Sequence, residues 1–333
     1  MDRDYPPQFI GRSPDGEGSR FPGAAYQAPR PSGRILPAVL FLATCLTTLA
    51  AGFFLEIQFS TDSAEEAVRR VVGLVSNPAG LLAGAPFAIS ILTILLAHEM
   101  GHYLACRYYG INATLPYVLP APPPLMPFGT FGAVIRIKSM FENRRQLFDV
   151  GIAGPLAGFV FILPVLAVGV KLSTEYTAIN ELDSFLEFGE PLLFQWAVAL
   201  FYEGEGAYLR LHPIGWAAWF GMLATSLNLL PIGQLDGGHI VYSLFGSRGH
   251  RKVSYLTFAG LVLLSLASWP MLGYLIFALV LLLMRFRHPP PLFPGAEVGR
   301  GRVLLAVVGL VVFLLTFIPV PVQFVERAGP LSL

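Results

Sequence analysis

Apolar residues in this chain run in long blocks, not at the spacing of an amphipathic helix or strand. Seven such blocks lie at roughly 35–55, 86–109, 149–171, 213–230, 253–268, 270–285 and 303–320, and about 20 residues suffice to cross the hydrocarbon of a bilayer. No charge occurs between Lys252 and Arg285. As a single helix that stretch would be about 48 Å long, too long for one crossing, so Trp269-Pro270 is read as the turn of a tight helical hairpin. Residues 191–202 (PLLFQWAVALFY) are apolar but short, which suits an interfacial or re-entrant piece better than a span. The pattern therefore predicts an all-α polytopic membrane protein with about seven transmembrane helices. No repeat of solenoid length and no pair of similar halves is visible.

Two segments break this pattern. Residues 1–34 are rich in Pro, Gly and Arg with almost no aliphatic content, cannot bury enough surface to offset their ordering entropy, and are read as a disordered tail. Between the second and third blocks, Pro116, Pro120 and Pro122 to Pro124 forbid a helix, Gly129 and Gly132 mark turns, and Ala133 to Lys138 alternates with period two. That alternation predicts a short membrane-associated β-ribbon. It either pairs with a substrate unwound into a strand or is a plain cytoplasmic hairpin. The resulting division is a tail (1–34), a first span and outer loop (35–84), a core (85–290) and a C-terminal span with a short outer tail (291–333).

Composition sharpens the picture. Of 333 residues, 54% are hydrophobic and 13% charged, against about 25% charged in soluble domains. The 22 Lys and Arg against 21 Asp and Glu leave no basic face for nucleic acid. Cys45 and Cys106 both lie inside apolar blocks, which argues against a disulfide framework or a cysteine metal site. With the tail in the cytoplasm, all Lys and Arg except Arg69, Arg70, Lys171, Arg210 and Arg327 fall on the cytoplasmic side. Such a bias is expected of cytoplasmic loops. The tail's Asp2, Asp4, Asp15 and Glu17 are too acidic for a transit peptide, so a bacterial plasma membrane is expected.

Candidate chemistry sits in the second block, ILTILLAHEMGHYLACRYYG. Ionisable residues in the apolar part of a membrane helix are costly and functional by default. His98 and His102, four apart, lie on one helical face and can offer two imidazole nitrogens to one Zn²⁺, with Glu99 beside them to accept a proton from the attacking water. The bland alternative has the histidines bonded to neighbouring helices and the glutamate paired with an arginine. A catalytic zinc takes three protein ligands. In SLNLLPIGQLDGGHI, Pro231, Gly233, Gly237 and Gly238 predict a helix break, tolerated at membrane depth only where it is buried in protein or lines a polar cavity. Asp236 in that break is the natural third ligand; its local alternative is an N-cap, and His239, three residues on, competes for the ligand role. Asn228 offers an amide that can donate to a substrate carbonyl as charge develops there. Gly151, Gly154 and Gly158 are spaced for close helix packing and carry no chemistry. His212, His250 and His288 are read as solvated.

His-Glu-x-x-His in one span and Asn228-x-x-Pro231-x-x-x-Leu235-Asp236-Gly237 in a later one resemble the site-2 protease family of intramembrane zinc metalloproteases (peptidase M50-like). GTFGAVIRIKS at 129–139, GIAGPLAG at 151–158 and HPIGWAAWFGMLATSLNLLP from His212 extend the resemblance to the branch of the chloroplast ethylene-dependent gravitropism-deficient proteases and their bacterial relatives. It covers residues 85 to about 290. It implies a zinc endopeptidase that cleaves transmembrane segments, with His98, His102 and Asp236 as ligands and Glu99 as general base. The stretch 173–212, about 40 residues, is too short for the PDZ domain of some relatives, since domains need about 50 or more. The expected partners are a membrane-protein substrate and the lipid bilayer. The rival reading is a metal-ion transporter using the same residues for transit, although the outer half of the second span (PFAISILTILLA) offers no polar path. An inactive scaffold would have no need of Glu99.

Overall fold

The computed structural model describes residues 35–123, 125–175, 187–204, 209–267, 288–293 and 298–323, with isolated positions between 274 and 295. The tail 1–34 and the Trp269-Pro270 turn lie outside the described residues. Those described form eight α-helices, one 3-10 turn and three two-stranded sheets.

Helix α1 spans Ile35–Ser60 and is followed by the short amphipathic α2, Ala64–Gly73, capped by Ser63, whose side chain accepts from the Glu66 N–H. The 3-10 turn Pro78–Gly84 leads into α3, Ala85–Tyr108. Helix α4, Arg144–Lys171, starts where the Asn143 side chain accepts from the Arg145 and Gln146 N–H groups, each at 3.0 Å. Then come α5 (Leu192–Phe201), α6 (Pro213–Leu229), α7 (Asp236–Ala267) and α8 (Arg300–Thr316).

Three stretches among the described residues are long and apolar enough to cross a membrane: Ile35–Ser60, Pro78–Tyr108 and Arg144–Lys171. The seven blocks map onto helices less evenly than expected. Helices α6 and α8 have 17 residues each, about 25 Å of rise. The block expected at 253–268 falls in the second of two helical halves of α7, which Gly246 separates with a non-helical φ of 68° and ψ of −174°; glycine tolerates that positive φ. Helix α5, ten residues long, rises only about 15 Å and cannot cross.

Helix α4 is the hub, packed against α3, α6, α7 and α8. Phe87, Ile91 and Ile94 of α3, Ile162, Leu166 and Val170 of α4, and Ala217, Trp219 and Met222 of α6 form the main core. Close crossings rest on small residues: a methyl at Gly101 would overlap the Ala153 carbonyl, and one at Gly169 the Gly215 backbone. Outward, Leu42 and Leu46 of α1 and Leu304, Leu310 and Leu314 of α8 are exposed, a surface that requires an apolar solvent.

Strands β1 (Tyr117–Pro120) and β2 (Thr130–Val134) pair antiparallel. The strand expected at 133–138 is thus displaced toward the turn. Beyond Val134 the regular ladder is interrupted, with the Arg136 N–H taken by Thr114 Oγ1 at 3.0 Å, and pairing resumes at an Ala113–Ile137 bridge, where the Thr114 N–H donates to the Arg136 carbonyl at 3.0 Å and the Lys138 N–H to the Asn112 carbonyl at 2.7 Å. The ribbon packs along the middle of α1 and not beyond its end. Thr44 Oγ1 donates to the Val118 carbonyl and Thr47 Oγ1 to that of Gly129, and a methyl at Gly129 would overlap the Thr47 backbone. A plain hairpin outside the bundle does not describe this placement.

The two ends of the bundle are tied differently. At one, β3 (Thr174–Glu175) pairs with β5 (Leu209–Arg210), and β4 (Glu187–Phe188) with β6 (Val322–Gln323). There Arg210 also reaches Asp62 at 2.5 Å. At the other, Arg302 of α8 forms a two-point ion pair with Asp149 of α4, which also accepts from the Tyr109 hydroxyl, and the Phe293 N–H donates to the Glu142 carbonyl. Of the three histidines expected to be solvated, His250 is buried against the Gly233 carbonyl, while His212 and His288 stay partly exposed, the first capping α6 by accepting from the Ile214 N–H and the second bonded to His239. Each meets a partner distant in sequence or at a helix start, which hydropathy does not register.

Candidate metal centre

The helical repeat of α3 sets His98 and His102 one turn apart, and both are buried, as is Glu99 between them. The two Nε2 atoms are 3.1 Å apart. Asp236, the first residue of α7, brings Oδ2 to 3.2 Å from His98 Nε2 and 3.3 Å from His102 Nε2. Three ligands on one face of a tetrahedron with bonds of about 2.0 Å lie about 3.3 Å from each other. The triangle therefore has the size of a zinc ligand set, and among the described residues these three form the group of His, Cys, Asp and Glu able to hold an ion. Two neutral imidazoles and one carboxylate match the borderline character of Zn²⁺ and would leave a fourth position for water.

The surroundings hold these atoms in place. His102 Nδ1 lies 2.7 Å from the Val150 carbonyl. Since a carbonyl only accepts, the proton sits on Nδ1 and the Nε2 lone pair is free for the metal, the usual outer-shell arrangement for a ligating histidine. The glycines of α4 do more than bring helices together. A methyl at Gly154 would overlap the His102 imidazole, and one at Gly158 would stand 3.2 Å from His98 Cβ. Their packing partners are the two imidazoles themselves, where the G-x-x-x-G-like spacing signalled only a close helix contact.

The remaining candidates fall around the triangle. Asn228, near the end of α6, places Nδ2 3.4 Å from His98 Nε2. The Ile135 main chain, just past β2, lies beside the Glu99 carboxylate. This neighbour went unread in the sequence because only a main-chain group is involved. His239 stands one turn beyond Asp236 but outside the triangle, with Nδ1 2.6 Å from His288 Nε2. The loop between α6 and α7 is drawn tight: a methyl at Gly237 would overlap the Leu229 carbonyl and one at Gly238 the Gly233 carbonyl. Only glycine at both positions lets α7 begin where the Asp236 carboxylate faces α3.

Comparison with known proteins agrees with this arrangement. Residues 86–267 match peptidase family M50. The chain is 33% identical over 261 residues to the probable chloroplastic zinc metalloprotease EGY1 of Arabidopsis thaliana, covering 74% of this chain and 45% of that protein. It is 31% identical over 255 residues to the probable chloroplastic zinc metalloprotease EGY2 of the same plant, covering 72% and 43%. The probable chloroplastic zinc metallopeptidase EGY3 of Arabidopsis thaliana shares 25% over 235 residues, covering 65% and 38%. The chain thus spans less than half the length of these relatives. The family match takes in more than half of the chain, including the helix with the histidines and the loop with the aspartate, and this protein belongs to peptidase family M50.

Proposed function

We propose that this protein is an intramembrane zinc metalloendopeptidase that hydrolyses peptide bonds within transmembrane segments of other membrane proteins. The observation that carries the reading is the ligand triangle of His98, His102 and Asp236, with Glu99 beside it, buried in helices of a largely apolar bundle.

His98, His102 and Asp236 would hold the metal. Zinc, when bound, lowers the pKa of water toward about 7 and polarises a carbonyl. Glu99 accepts the proton of the attacking water and returns it to the leaving amine. The main chain at Ile135 lies beside that carboxylate, and the Asn228 amide donates to the carbonyl oxygen as negative charge builds on it. Strand β1 is the one held by α1, which leaves β2 beside α3 and the metal centre. A substrate segment unwound into a strand can pair there by edge addition. Replacing Ile135 with Pro removes the main-chain N–H beside Glu99 and a donor from the ribbon that would pair with substrate. Cleavage should fall about 10- to 100-fold, the scale of one lost hydrogen bond in the transition state, while bound zinc stays unchanged. Wild-type cleavage by this variant would remove the ribbon from the mechanism.

The reading also includes seven crossings, with the N-terminus in the cytoplasm. The end of α3 and the start of α8 meet the start of α4 through Tyr109, Asp149 and Arg302 at one face, and the β3–β5 and β4–β6 pairs gather at the other. His102 is six residues and His98 ten residues from the end of α3 at Tyr108, about 9–15 Å along the helix, so water enters from the cytoplasmic side. The one-sided distribution of Lys and Arg supports a cytoplasmic N-terminus.

Purified protein incubated with an epitope-tagged single-span substrate should cut it within the apolar segment, as mass spectrometry of the products will show. A zinc chelator should stop the reaction and added Zn²⁺ restore it. Cleavage indifferent to the chelator contradicts the proposal, as does zinc flux into proteoliposomes with no hydrolysis, the signature of a transporter.

A further inference from the structure

The loop that presents Asp236 is gripped from behind. Gly233, three residues before the aspartate, has φ 57°. Its carbonyl accepts a hydrogen bond from His250 Nε2 at 2.9 Å, and its N–H donates to Ser254 Oγ at 3.4 Å. The Ser254 hydroxyl in turn points at the Pro231 carbonyl, 3.5 Å away. His250 and Ser254 are one helical turn apart and face the same way, and their exposures are 2% and 0%. Buried polar side chains in an apolar bundle need partners, and these two find theirs on one tight loop. The kink at Gly246 makes this possible, because it turns the second half of α7 back along the loop from which the first half starts.

We infer that His250 and Ser254 are positioning residues that hold Asp236 in the ligand triangle by clamping both main-chain groups of Gly233. The inference rests on the reading of Asp236 as a metal ligand. Without the clamp the loop gains freedom only three residues from the carboxylate, and a ligand set correct to a few tenths of an ångström is lost for part of the time. Outer-shell partners of metal ligands are worth about 10- to 100-fold in affinity.

Zinc affinity of the purified full-length protein, measured by competition with a chromogenic chelator, tests this. His250→Ala should bind zinc about 10- to 100-fold more weakly, and Ser254→Ala should shift in the same direction. His250→Gln, whose amide N–H can reach the same carbonyl, should recover most of the loss. That rescue separates positioning from bulk packing, because Gln fills the ring's volume poorly. Wild-type affinity in both His250→Ala and Ser254→Ala overturns the inference, and so does equal weakening by His250→Gln and His250→Ala. If His250→Ala does not fold, Ser254→Ala decides alone. Asp236→Ala, measured alongside, keeps the two readings apart. Should it retain wild-type affinity, the ligand assignment fails; should it lose zinc while the clamp variants do not, the clamp alone fails.

Discussion

Asp236→Ala should lose nearly all bound zinc and all detectable proteolysis, while His239→Ala should keep zinc and at least part of the activity. The two residues are three apart near the start of α7, and histidine is the more common zinc ligand, so the contrast is informative. Asp236 Oδ2 stands 3.2 and 3.3 Å from the two histidine Nε2 atoms. Its removal leaves two neutral imidazoles facing a dication in a low-dielectric bundle, with no charge to offset that of the metal. His239 is engaged elsewhere, bonded to His288 at 2.6 Å with its ring edge-on to that of its partner. Its truncation disturbs the contact with the 288–293 segment but none of the three ligand atoms. Metal content by mass spectrometry beside a cleavage assay reads both variants. Stoichiometric zinc in Asp236→Ala together with loss of metal in His239→Ala would reassign the third ligand.

Local pattern carried much of the site and little of what surrounds it. His98 and His102 are four apart in an apolar run, and helical periodicity alone puts them on one face. Pro231, Gly233, Gly237 and Gly238 announced the break between α6 and α7, and the helices do end at Leu229 and restart at Asp236. What could not be read was anything set by long-range contact. Thr44 and Thr47 pass as ordinary span residues until the ribbon is laid against α1 and their hydroxyls reach the Val118 and Gly129 carbonyls. His250 sits in a stretch with Arg248, Arg251 and Lys252, so its surroundings look solvated. Its burial depends on the Gly246 kink, a backbone event a hydropathy profile does not see. The displaced strand has the same origin, for period two marks which side chains alternate, whereas Thr114 Oγ1 takes an amide that the ladder would otherwise use. Gly154 and Gly158 were legible as packing positions, but that they pack against imidazoles required the neighbouring helix.

The central claim is that Glu99 moves the proton in a hydrolysis carried out at a zinc held by other residues. Glu99→Gln keeps the size and shape of the side chain, but it cannot take a proton from water. General-base catalysis is typically worth about 10²- to 10⁴-fold, so turnover of a tagged transmembrane substrate should fall at least that far. The decisive measurement is zinc content and cleavage rate on the same preparation of this variant. Full zinc with no cleavage is the result expected. Full zinc with wild-type turnover would show that Glu99 is not the base, and loss of zinc with loss of turnover would place it among the ligands instead.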